Sequence, residues 1–107
     1  MTIGIEIEVE GEGAIAATTE LFTIPEIEGK WETAPPEREA VLATIGTIVG
    51  IVGGSMPIAE KLWKWYQEYR QGKNGAKIDK VLLVGKNGQR IVLENATLEE
   101  IKRLLDS

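Results

Sequence analysis

Neither cysteine nor histidine occurs among the 107 residues. Disulfides, thiolate nucleophiles, Cys/His zinc sites and the usual proton shuttle at neutral pH are therefore excluded. Serine is scarce too, confined to Ser55 and Ser107, and without histidine neither has a standard activating base. Lys61 and Lys64 could serve in that role, but no motif selects them. An enzyme would have to depend on a carboxylate such as Glu8 or Asp79, and nothing in the spacing singles one out. The expectation is a chain without catalytic residues, cofactor or metal. No basic stretch followed by a short apolar run and a cleavage site opens the sequence, so a cytoplasmic location is expected.

What is present is enough apolar material for one core, at 43% hydrophobic residues, and a single domain over 1–107 is expected. The net charge of −5 is unevenly spread: residues 1–39 hold ten acidic and two basic side chains, and residues 40–107 hold seven acidic and ten basic. Such polarity favours oriented association, including head-to-tail contact between copies. The basic residues of the second half are scattered, with no dense stripe of the kind that binds nucleic acid.

Residues 2–10 alternate, with Ile3, Ile5, Ile7 and Val9 on one side and Gly4, Glu6, Glu8 and Glu10 on the other, the pattern of a half-buried strand. Gly11 and Gly13 end it, and a short helix through Ala14–Ala17 and Leu21 follows, stopped by Pro25. Residues 28–33 are a candidate second strand. Pro35-Pro36 with Glu37 and Glu39 suit a helix N-terminus, so residues 37–52 are expected to be helical. That helix would carry an apolar stripe, Val41, Ile45, Ile48 and Val52, beside a small-residue stripe, Ala43, Gly46, Thr47, Gly50 and Gly53. Interior glycines cost roughly 1 kcal/mol each in a helix, so close approach of another backbone is the expected reason for them.

A further helix over 56–71 places Ile58, Leu62, Trp65 and Tyr69 on one line, with Ala59, Trp63, Tyr66 and Arg70 on a second. Residues 78–84 and 89–94 form a hairpin around Lys86-Asn87-Gly88. Thr97-Leu98-Glu99-Glu100 is a capping box opening a last helix, whose inward face is Leu98, Ile101, Leu104 and Leu105. The expected fold class is α+β: a small, mostly antiparallel sheet with helices packed on one face, in the order β-α-(β)-α-α-β-β-α.

Three constellations invite sharper readings. Residues 40–59 carry no charge and contain Gly46-x-x-x-Gly50 and Gly50-x-x-x-Gly54, which makes a membrane-associated protein anchored there the main alternative. Against it, Gly53-Gly54-Ser55-Met56-Pro57 breaks the helix after a length of roughly 24 Å, short of the hydrocarbon core. Glu6, Glu8 and Glu10 supply hard oxygens suited to calcium or magnesium, but alternate strand positions lie ~7 Å apart, too wide for shared ligation. Gly85-Lys86-Asn87-Gly88 lacks the spacing of a phosphate loop and leads into a strand instead of a helix.

The order of features resembles that of the effector-associated constant component family, small proteins encoded beside bacterial conflict-system effectors such as trypsin-like proteases and NTPases. The resemblance runs through Glu20-Leu21-Phe22, the turn at 25–29, the glycine-rich apolar segment 45–54, Leu62-Trp63-Lys64-Trp65, residues 88–93 and the final leucine-rich helix. It implies a non-enzymatic adaptor or assembly component of a prokaryotic defence system, with a protein effector encoded nearby as partner and a homo-oligomer as a second form of association. From the residues themselves, the candidate interaction set is Ala43, Gly46, Thr47, Gly50 and Gly53, with Trp63, Tyr66, Glu6, Glu8 and Glu10.

Overall fold

A computed structural model of the chain describes residues 4–33, 43–51, 55–72 and 75–106. The chain runs through β1 (Ile5–Glu10), α1 (Ala14–Leu21), β2 (Ile27–Thr33), β3 (Ala43–Ile51), α2 (Ser55–Arg70), β4 (Lys80–Val84), β5 (Arg90–Val92), a 3-10 turn at Leu93–Asn95, and α3 (Leu98–Asp106). The five strands form one sheet in the order β2-β3-β1-β4-β5, and each neighbouring pair is antiparallel. The fold class is thus α+β with an antiparallel sheet, as the sequence suggests. The strand at 28–33 exists as β2, on one edge of the sheet.

Alternation decides the orientation of β1. Ile5, Ile7 and Val9 are buried, and their opposite numbers across the sheet, Ile48 on β3 and Val81 and Leu83 on β4, are buried with them. Against this face pack Ala14, Ala17 and Leu21 from α1, Ile58, Leu62, Trp65 and Tyr69 from α2, and Ile101, Leu104 and Leu105 from α3. All three helices therefore contribute to one core on one side of the sheet.

One expected element is wrong. Within residues 37–52 the described part, 43–51, is the strand β3 and not a helix, so among the described residues the middle of the chain holds one helix where two were expected. Apart from Ala43, Gly46 and Gly50, every residue of β3 is β-branched, and such side chains lose rotamer freedom in a helix but pack well on a pleated surface. The four-residue glycine spacing is equally compatible with a strand, where it brings both glycines to the same parity. The described part of the apolar run at 40–59 is consequently divided between β3 and the start of α2, and among the described residues no helix is long and apolar enough to cross a membrane.

Local signals elsewhere match their elements. At the capping box the Thr97 N–H donates to Glu100 Oε1 at 3.0 Å, and the Glu100 N–H donates to Thr97 Oγ1 at 3.2 Å. At the hairpin Gly88 adopts a φ of +87°, and the Gly85 N–H donates to the Gln89 carbonyl at 2.7 Å. The strand expected at 89–94 is shorter, because Leu93 turns into the 3-10 segment and enters the core.

A polar contact lies inside the core: Thr18 of α1 and Thr44 of β3, both fully buried, share a hydroxyl–hydroxyl hydrogen bond of 2.5 Å. Thr18→Val is expected to lower stability by about 1–3 kcal/mol, because the Thr44 hydroxyl is then buried without its partner. Thr18→Val combined with Thr44→Val should recover most of that loss, since neither orphan remains. Urea denaturation of the two singles and the double measures the coupling, and strictly additive losses would contradict it.

Candidate interaction surface

With the described helices on one side, the other side of the sheet carries, among the described residues, strand side chains alone. Register arranges them in rows. The first reads Lys30, Thr47, Glu6, Val84, Arg90 from β2 across to β5, and the second reads Glu32, Ile45, Glu8, Leu82, Val92. A third places Ala43, Glu10 and Lys80 side by side on β3, β1 and β4. The carboxylates thus form the central line of the outward face, with aliphatic side chains on both flanks and cations toward the edges.

The apolar members of this face are not part of the core. Ile45, Leu82, Val84 and Val92 are half-buried, and Val49 is 46% exposed. Open antiparallel sheets ordinarily show polar residues on their solvent side. Here β1 obeys that rule, but β3 and β4 present aliphatic residues on both faces, and no described element lies over the outward one. Toward β2 the face dips into a groove of about 470 Å³ lined by Lys30, Trp31, Glu32, Ile45, Thr47 and Val49.

The structure divides the residues nominated from sequence. Glu6, Glu8, Glu10, Ala43 and Thr47 meet on the outward face. Gly46 does not: β3 alternates with period two, so Gly46 points into the core, where an added Cβ would lie 2.8 Å from the Phe22 ring. Gly50 is half-buried beside Glu28, and Gly53 lies outside the described residues. Among the described residues the small-residue stripe is therefore not one helix surface: Ala43 and Thr47 lie on one face of β3 and Gly46 on the other.

Trp63 and Tyr66 separate as well. Trp63 is 42% exposed on the helical side of the molecule, far round from the carboxylate line, whereas Tyr66 is only 2% exposed and belongs to the core. Burial pushes the Tyr66 hydroxyl above its ordinary pKa, a tendency opposed by the positive charge of Arg70, whose guanidinium carbon lies 5.8 Å from the ring centroid, and reinforced by Glu94. A raised folded-state pKa means this contribution to stability is complete below the ordinary tyrosine value near 10 and is lost as the pH rises through the folded value. Near Trp63 the α2 helix is tied to the turn before β2 by Lys61, which donates to the Glu26 carboxylate and holds it below its usual range.

Ile45, Val49, Leu82, Val84 and Val92 lie on this outward face and are not among the residues nominated from the sequence. A signal exists in the sequence of β4, Lys-Val-Leu-Leu-Val, whose lack of alternation marks a strand apolar on both sides. Among the described residues no three acidic side chains converge as a metal site would require. Comparisons with protein-family models, with curated proteins and with solved structures returned no match.

Proposed function

We propose that this chain is a non-enzymatic adaptor or assembly component that works through protein–protein contact, with the outward face of its sheet as the contact surface. The observation that carries this reading is the aliphatic flank of that face: Ile45, Leu82, Val84 and Val92 leave water only in part, and covering them stabilises a complex by roughly 25 cal/mol per Å² of apolar area. The resemblance to the effector-associated constant component family supports a cytoplasmic role in a prokaryotic conflict system, with an effector such as a trypsin-like protease encoded nearby as partner.

The test uses co-expression with the products of neighbouring genes, followed by size-exclusion chromatography with light scattering. Leu82→Asp and Val49→Asp alter only outward-facing side chains, so circular dichroism should show an unchanged fold. Each is expected to weaken the complex by about tenfold or more, as loss of a buried apolar contact and burial of an unpaired charge require. A folded Leu82→Asp variant that holds its partner as firmly as wild type would sink the proposal.

A further inference from the structure

We infer that the element received by the outward face is a cationic amphipathic helix of a partner protein, laid along β1 with lysines or arginines over Glu6, Glu8 and Glu10. This rests on the reading of that face as the contact surface and adds the chemistry of what covers it.

Three features of the face converge on this occupant. Along β1 the carboxylates repeat every ~6.8 Å, since alternate strand residues rise twice ~3.4 Å. On an α-helix, residues four apart rise ~6.0 Å, so cations at positions i, i+4 and i+8 keep pace with the three carboxylates to within about 2 Å along the axis, and the flexible lysine stems span the ~40° that each step turns about it. Across the sheet, Ile45 and Leu82 stand directly beside Glu8 on β3 and β4. Their strands are ~4.8 Å to either side, which gives a width of ~10 Å, the diameter of one helix with its side chains. A helix of that kind would set its charged line on β1 and its aliphatic shoulders on Ile45, Val49, Leu82 and Val84. A helix on this side also completes a three-layer arrangement, in which an apolar sheet face is covered as the opposite one is.

Charge excludes the obvious competitor, a second copy of the chain docked by the same face. A two-fold axis along the strands places Glu6 against Glu6 and Lys30 against Arg90. An axis across the strands places Glu6 against Glu8. Either way carboxylates face carboxylates at the centre, where water is best excluded and like charges cost most.

The assignment is tested with three synthetic helical peptides of about 20 residues, long enough to hold helix on binding. One carries lysine at i, i+4 and i+8 between leucine shoulders. The second has the same composition with the periodicity scrambled, and the third has glutamate in place of each lysine. Binding to the full chain is read by fluorescence anisotropy, and location by amide shifts in 1H–15N spectra. The periodic lysine peptide should bind about tenfold more tightly than its scrambled counterpart, which has equal charge, because only the first satisfies charge and apolar contacts together. Its shifts should fall on β1, β3 and β4. The double variant Glu6→Lys/Glu8→Lys should lose this preference and gain affinity for the glutamate peptide.

Equal binding of periodic and scrambled peptides, or shifts confined to α2 around Trp63, would overturn the cationic-helix assignment. So would sedimentation of wild type as a dimer that Glu8→Gln strengthens by relieving repulsion. None of these outcomes touches the Leu82→Asp capture experiment, which separately decides whether the face is used at all.

Discussion

Replacing Gly46 by leucine is expected to lower the melting temperature steeply, while Thr47→Leu, one residue along, leaves it nearly unchanged. Gly46 occupies the core side of β3, opposite Ile7, and a Cβ there would lie 2.8 and 2.9 Å from two atoms of the Phe22 ring and 3.2 Å from the Ile7 side chain. The ring has little freedom to retreat, because its other edge rests on Gly29 of β2, where an added Cβ would lie 2.7 Å from Phe22 Cε1 and closer still to the Thr47 carbonyl oxygen. Phe22 is thus seated over two glycines on adjacent strands. Overpacking of such a site costs typically 1–3 kcal/mol, and a leucine that must displace both ring and strand should reach ~3 kcal/mol or more. For a domain of this size that corresponds to a fall of roughly 12–20 °C. Thr47 points outward and is exposed, so its substitution should stay within about 0.5 kcal/mol. Phe22→Ala should partly rescue Gly46→Leu by vacating the space, giving a coupling that thermal scans of the two singles and the double can measure. Equal melting temperatures for Gly46→Leu and wild type would mean that β3 does not run with the alternation described.

The contrast between Gly46 and Thr47 depends on a strand that local sequence disguises. β1 could be read directly, because strict alternation of aliphatic residues and glutamate permits one periodicity and assigns the glutamates to the solvent side. The capping box and the hairpin were readable for a similar reason, since their hydrogen bonds close within a few residues. β3 was not. Ile45, Ile48 and Val52 satisfy a helical spacing, and Pro35-Pro36 with the following acids imitates a helix start, whereas the β-branched content that favours a strand takes effect only once β1 and β2 flank it.

The proposed interaction surface divides along the same line. Its carboxylates belong to one strand and were found by period alone. Its aliphatic flanks come from strands distant in the chain, and nothing local reports that Ile45 and Leu82 share a row with Glu8. Trp63 and Tyr66 separate for a different reason. Residues three apart on a helix share a general direction, but α2 is embedded deeply enough that a rotation of some tens of degrees separates core from solvent.

The second large effect is expected at Trp65, two residues beyond Trp63 and on the opposite side of α2. Trp65 is buried, its indole N–H donates to the Ala17 carbonyl of α1 at 2.8 Å, and its ring lies tilted against Tyr69 with centroids 6.1 Å apart. It therefore ties α2 to α1, alongside Tyr69, whose hydroxyl donates to the Glu20 carboxylate. Trp65→Ala removes the largest side chain of the core and opens a void that neighbouring strands cannot fill, at a cost of about 3–5 kcal/mol. Against a total stability of ~5–15 kcal/mol for a domain of this kind, that fraction is large enough to leave part of the population unfolded at 37 °C. Trp65→Phe keeps most of the apolar volume and loses the N–H donor, so a loss of about 1–2 kcal/mol is expected. Trp63→Ala, on the exposed side, should change stability by less than about 0.5 kcal/mol. Urea denaturation of the three variants tests the order, and a Trp63→Ala loss equal to that of Trp65→Ala would contradict it. Because the outward face of the sheet shares no side chain with the Trp65 site, the folded fraction of Trp65→Ala should still bind the periodic lysine peptide with the affinity of wild type. On the proposed reading, stability and recognition are carried on opposite faces of one sheet, and this variant separates them.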